Sequence, residues 1–191
     1  MTVLKRPDAV PYIATWSDEQ CAGQVVVEDR RSGGIAYLDE RPGDRDEWGV
    51  LWRRVESRPG GGRPEFAQVH ARRQRYVMRH LRCQVCGRPA DVNEQGVLWL
   101  LKDDRGAWPR RPERMAATHP PVCLPCARVA AELCPHLSGR HIAVRVRRPE
   151  VVGVYGALYA PGGGRGRPQP VGERSSRTPI RRCGGWSRRS W

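Results

Sequence analysis

Four cysteines stand in two short-spaced pairs, Cys83-Gln84-Val85-Cys86-Gly87 and Cys123-Leu124-Pro125-Cys126, with 36 residues between the pairs. Two thiolates three positions apart can reach one metal ion from a single tight turn, and a second such pair completes a tetrahedron. The expected ligands are therefore Cys83, Cys86, Cys123 and Cys126, and the expected cofactor is one structural Zn2+ per chain. Four thiolates close the coordination sphere, so no chemistry is expected at the ion and no catalytic residue is assigned. Gly87 supports this reading. The turn of a metal knuckle needs positive φ after its second cysteine, which glycine adopts without steric cost.

Other residues could compete for the same role. Cys134 and His136 lie close enough in sequence to replace a ligand, and His119 precedes the second pair. A pair such as Cys123–Cys126 at a helix start is also the arrangement of a redox dithiol. The surrounding sequence lacks the βαβ unit that goes with that chemistry, and the matching first pair would be left without a purpose. Cys21 and Cys183 have no partner in the pattern.

The second chemical feature is charge. The net charge is +14, from 34 basic and 20 acidic residues. All the basic residues except Lys5 and Lys102 are arginine, a bias that GC-rich codons produce without selection for phosphate binding. The distribution carries more information than the total. Residues 1–62 are slightly acidic, whereas 63–88 and 161–191 are strongly basic. On a helix over Pro64–Arg82, Arg72, Arg75, Arg79 and Arg82 share one side, opposite Phe66, Val69, Tyr76, Val77 and Leu81. Arg73 and His80 fall in the apolar arc and break the pattern. Arg145 and Arg147 share a face of a later strand. These six arginines are the candidate nucleic-acid contacts. No base-reading motif accompanies them, so the contact expected is to backbone phosphate, without sequence preference.

The elements that must position these residues are short. Glycine and proline together make up 38 of the 191 residues, too many for a regular bundle or a doubly wound sheet. Strands are expected at Val25–Val27, Ile35–Leu38 and Gly49–Val55. The stretch Arg58–Pro64 reads as a loop. Pro64 suits the first turn of the basic helix and Glu65 its positive end. After the first cysteine pair, Ala90–Val92 and Val97–Leu101 read as a hairpin across Asn93–Gly96. A loop over Asp103–Pro121 leads to the second pair, and Leu124–Leu133 reads as a helix with Pro125 near its start. His141–Arg147 and Val151–Tyr159 read as a closing hairpin. Glu47–Trp52 and Glu94–Trp99 agree at five of six positions, which two similar turn-then-strand solutions explain.

From Gly162 onward arginine, glycine, serine and proline dominate, and disorder is expected. Residues 173–191 also have the composition of a frame-shifted GC-rich gene. No run approaches the ~20 apolar residues of a membrane span, and the N-terminus lacks a signal-peptide core. The cytoplasm is the expected location, with no membrane partner.

The order of knuckle, hairpin and helix carrying two ligands over Cys83–Leu137 resembles the treble-clef zinc finger. The stretches GGIAY, CQVCG, GVLWLL, ATHPPVCLPCA and GVYGALY, spread over 33–160, resemble an uncharacterised family of actinobacterial (Streptomyces-like) proteins. The second resemblance implies a bacterial protein and no particular activity. The first implies a zinc-stabilised core with short β-hairpins; with the basic helix read before it and the disordered tail read after it from composition, the expected fold is a small α+β one. The expected division is a loosely ordered segment 1–32, a zinc-binding domain 33–160 with its metal core at 83–137, and a basic tail 161–191. The leading function is a non-catalytic binding module for nucleic acid. A protein-interaction adaptor, using Trp48, Trp52, Trp99 and Trp108, is the alternative. An HNH-like nuclease is a third reading, since such enzymes are built on treble clefs. Its metal would need Asp103, Asp104 and His119, an unusual set, because Val97–Leu101 contains no histidine.

Overall fold

A computed structural model describes residues 10–21, 23–29, 33–107, 115–160, 162 and 167–177. The chain divides into two compact units, one of residues 1–19 with 58–151, the other of residues 20–57 with 152–191. This partition differs from the division expected from sequence. Backbone pairing draws residues 12–16 into the cysteine-bearing unit, and pairs 153–160 with a segment of the tail.

In the cysteine-bearing unit, β1 (Ala14–Trp16) pairs antiparallel with β4 (Pro64–Val69). The stretch Pro64–Val69 was expected to begin a helix. Its backbone is instead committed to β1, and the connection is closed by Ser17 N–H to the Arg63 carbonyl (2.9 Å) and Arg63 N–H to Ser17 Oγ (3.0 Å). A local apolar period cannot reveal a partner strand 50 residues away. The helix α1 is therefore only Ala71–Arg79. His70 caps it, with Nδ1 accepting from the Arg73 N–H at 3.3 Å.

The helix ends on a residue with positive φ, Leu81 (48°). Leu81 N–H bonds the Met78 carbonyl, and Arg82 N–H bonds the Val77 carbonyl. This is the two-bond closure of a Schellman motif, with leucine where glycine is usual. It turns the chain directly into Cys83.

Three strands follow in the order β5 (Val92–Asn93), β6 (Gly96–Lys102), β7 (His141–Val146), all antiparallel. The expected hairpin of β7 with the next strand does not form. Strand β7 lies along β6, from Val97 opposite Val146 to Lys102 opposite His141. The reason lies in β6, whose residues Gly96–Leu100 are all buried. Leu98 and Leu100 face a core with Cys83, Val122 and Ala127, while Val97 and Trp99 face a second core with Ala90. A strand covered on both faces is a central strand, and β7 fills its open edge. Helix α2 (Leu124–Leu133) lies against the first core.

The other unit contains two hairpins, β2 (Val26–Asp29) with β3 (Gly34–Tyr37), and β8 (Gly153–Ala160) with β9 (Gln169–Arg177). The tail was expected to be disordered throughout, and 169–177 instead pairs with β8. Residues 178–191, with Cys183, lie outside the described residues. The expected strand Gly49–Val55 is replaced by isolated bridges. Its loop is organised by carboxylates. Asp46 accepts from the N–H groups of Trp48 and Val50 and from Trp52 Nε1, and Arg54 bonds both Asp39 and Asp44.

Candidate metal centre

The first cysteine pair sits in a tight turn. Gly87 N–H bonds the Cys83 carbonyl at 2.8 Å, and Cys83 N–H bonds the Arg88 carbonyl at 2.7 Å. Val85 N–H points at Cys83 Sγ, 3.4 Å away. Gly87 has φ of 69°, as the knuckle geometry requires, and a Cβ there would lie 3.0 Å from the Tyr12 ring. Tyr12 belongs to an N-terminal segment laid against the turn. Its N–H bonds the Val85 carbonyl at 2.8 Å, and Ile13 N–H bonds the Gln84 carbonyl at 3.2 Å.

The second pair is brought in by a buried approach, Pro120-Pro121-Val122. Val122 N–H bonds the Leu98 carbonyl, its own carbonyl accepts from Asp91 N–H, and the Pro121 carbonyl accepts from Gln84 N–H. Residues 121 and 122 thus join the knuckle to the sheet. Cys123 is the N-cap of α2 and Cys126 lies in its first turn.

All four Sγ atoms lie within 4.8 Å of one another. Cys86 Sγ and Cys123 Sγ are 3.7 Å apart, and none of the four is in a disulfide. A tetrahedral ion with Zn–S bonds of ~2.3 Å has sulfurs ~3.8 Å apart, so this spacing fits a zinc tetrathiolate. Among the described residues this is the only cluster of potential metal ligands, and His119, Cys134 and His136 are not in it. Cys134 is the C-cap of α2, one helix length from Cys123.

The electrostatics of the four thiols are uneven. Burial pushes Cys83 and Cys126 up. Burial also acts to raise Cys86, but the N–H and side chain of Arg88, together with Cys83 and Cys126, outweigh it and bring Cys86 down to about 7. Arg88 in turn has its pKa raised, first by its bond to Cys86, then by the charges of Cys86 and Cys123. One cation thus stands beside a site that carries net negative charge once four thiolates surround a divalent ion.

The candidate phosphate contacts divide. Arg72 and Arg79 are exposed on α1, and Arg75 is half-buried. Arg82 lies past the helix end and donates to the Gly87 carbonyl at 2.9 Å, which ties the helix exit to the knuckle. Arg145 bonds Asp91 and the Gly96 carbonyl within the sheet, whereas Arg147 is exposed. Arg73, which broke the apolar arc, is buried against Glu19. That pair was not anticipated. A basic residue in an apolar arc was its only sequence signal, and no local pattern points to Glu19.

The nuclease set does not assemble. Asp103 bonds Arg105, Asp104 pairs with Lys102, and the surface depression lined by Asp103, Asp104 and Arg140 does not include His119. The adaptor set loses a member, because Trp99 is buried with Nε1 bonded to the His119 carbonyl at 2.9 Å. Trp108 lies outside the described residues.

No family model, curated protein or solved structure matches this chain. Among the described residues no helix is long and apolar enough to cross a membrane.

Proposed function

We propose that this chain is a non-catalytic zinc-binding module that contacts nucleic-acid phosphates through α1, without sequence preference. The treble-clef resemblance fits the order of knuckle, β5–β6 hairpin and α2. Cys83, Cys86, Cys123 and Cys126 would hold one Zn2+. Bound there, the ion supplies a cross-link between knuckle and helix, and with four sulfur ligands it keeps no open position for a substrate. Reduced thiols of this kind suit the cytoplasm.

The observation that carries the reading is the attachment of α1 to the knuckle. Arg82 bonds the Gly87 carbonyl, and the Schellman turn leaves no linker between helix and Cys83. The metal core would therefore fix the direction in which Arg72, Arg75 and Arg79 project. Arg147 can add a contact, while Arg145 is spent on Asp91.

Fluorescence anisotropy with a labelled 20-mer, titrated across salt concentration, tests this directly. Three or four phosphate contacts predict a log–log slope of about −2 to −4. Substituting Arg72, Arg75 and Arg79 by glutamine should weaken binding and flatten the slope of what remains. A slope near zero in the parent protein would remove the reading.

A further inference from the structure

Helix α1 carries an aromatic pair on its outer side, contrary to the apolar arc that placed Tyr76 inside. Tyr76 is 42% exposed. Its ring centroid is 4.7 Å from that of His80, with the planes tilted by 50°. The Arg82 guanidinium lies 5.7 Å from the centroid of the Tyr76 ring. At 100° per residue, Arg72, Tyr76, Arg79 and His80 span an arc of about 100°. Arg72, Arg79 and His80 are exposed as well. The buried side of the helix is Arg73 and Val77, so interior packing does not account for an aromatic residue at 76.

Charge and aromatic surface are therefore interleaved on one face. Arg72 and Arg79 are about 10 Å apart along the axis, with Tyr76 between them. The first turn of α1 holds no acidic residue, and Glu65, the one carboxylate within 63–88, bonds Gln68. A duplex would offer this face its phosphates only, because its bases are stacked on one another. A single strand offers phosphates and free base faces together, and an aromatic ring gains from a base whatever its identity.

We propose that α1 binds single-stranded nucleic acid, with an unpaired base stacked on the Tyr76 ring beside His80 and the flanking phosphates on Arg72 and Arg79. This deepens the phosphate-binding reading above and rests on it.

The test uses the full chain loaded with zinc, and compares a labelled 20-nucleotide oligothymidine with a 20-base-pair duplex at equal salt. The parent protein should bind the single strand more tightly. Tyr76→Leu keeps the bulk and removes the π face, and should weaken single-strand binding about five- to a hundred-fold while leaving duplex binding within twofold. Tyr76→Phe should restore it. Thermal melting of both variants reports on folding, and at a half-exposed site the Phe variant preserves the ring if the Leu variant melts early. Unchanged single-strand affinity in Tyr76→Leu, with binding still lost in Arg72→Gln/Arg79→Gln, would overturn the stacking and leave the phosphate reading standing. Equal losses on both probes would also overturn it. No binding of the parent protein to either probe would bring down both.

Discussion

Arg73 and Glu19 form a buried, two-pronged ion pair across 54 residues of sequence. Arg73 Nη1 bonds Glu19 Oε1 at 2.5 Å and Nη2 bonds Oε2 at 2.7 Å, with side-chain exposures of 6% and 0%. The remaining lone pairs of Glu19 accept from the N–H groups of Trp16 and Arg58, and Arg73 also donates to the Ala14 carbonyl. One carboxylate thus fastens β1, the start of α1 and the chain at Arg58.

Removing one partner should be costly. Glu19→Gln leaves a buried guanidinium without its counter-charge, and the expected loss is about 3–5 kcal/mol. Replacing both, as Glu19→Leu with Arg73→Met, should cost less than either single change, since no charge is then left stranded. Urea denaturation of the zinc-loaded proteins checks the order. If the double variant falls as far as the sum of the singles, the pair is not coupled.

The same pair sets an acid limit. Burial acts to raise the Glu19 carboxyl, but the Arg73 bonds and the two backbone N–H groups outweigh it and bring it down to about 2, from an ordinary 4.5. A group depressed in the folded state contributes stability that is fully present above its unfolded value and disappears as pH falls through the folded value. That contribution is ~3 kcal/mol, present above about pH 4.5 and lost progressively toward pH 2. Acid titration of cysteine ligands would release metal in an overlapping range, so the readout is a difference. Wild type should lose more stability than Glu19→Gln over that window, both started from the zinc-loaded form so that metal release, common to the two, cancels. Parallel curves would contradict the assignment.

How much of this was legible in the sequence follows from the range of each interaction. Spacing within a few residues identified the knuckle, the α2 span from Leu124 to Leu133 and the strand that became β7. The four sulfurs lie within 4.8 Å of one another, as two C-x-x-C pairs serving a single ion would require, so their clustering could be read from spacing alone. Helix α1 was read too long because Phe66 and Val69 fit a helical period, whereas the fate of Pro64–Val69 depends on β1. Likewise Tyr76 was assigned to the interior by its place on the wheel. The inner side was already occupied by Arg73, held there by a carboxylate that no local pattern identifies. Strand β7 has the alternation expected of it, but alternation does not choose between β6 and β8 as partner. The double-sided burial of β6 makes that choice.

Metal removal should act on one core in particular. Leu98, Leu100, Val122 and Ala127 are packed with Cys83, and the other three cysteines line the same cluster. Chelation should therefore melt α2 and the knuckle together, with exposure of Leu98 and Leu100. Native mass spectrometry should find one zinc per chain before chelation. Hydrogen exchange should then show loss of protection at Ala127 and Leu98 first. Cys123→Ser should reproduce the chelated state. An unchanged exchange pattern in metal-free protein would show that the core holds itself.

Gly87 is the point where the knuckle and the N-terminal segment meet. Its φ of 69° is costly for any side chain, and the Tyr12 ring stands 3.0 Å from where a Cβ would sit. Gly87→Ala should therefore destabilise by about 1–2 kcal/mol for the backbone alone, with a further loss from displaced Tyr12. Tyr12→Ala opens that space, so Gly87→Ala should be milder in its presence. A double-mutant cycle measured by thermal melting separates the two contributions. Strict additivity would mean that the ring and the glycine do not compete.

Arg88 favours the thiolate of Cys86, through its backbone N–H first and its guanidinium second. Burial raises Cys83 and Cys126, so these two resist ionisation until an ion is present. Cys86 is the exception at about 7, brought there by Arg88 against its own burial. A thiolate at Cys86 is therefore available to a metal ion near neutral pH. Arg88→Gln removes the cation but keeps the backbone N–H. The pH midpoint for zinc loading should then move upward, and affinity at pH 7 should fall about tenfold. Arg88→Lys should recover most of that loss if charge is what matters, and little if the bond from the guanidinium is. Competition with a chromophoric zinc chelator across pH measures both. A midpoint that does not move in Arg88→Gln would assign the low Cys86 value to the backbone N–H alone.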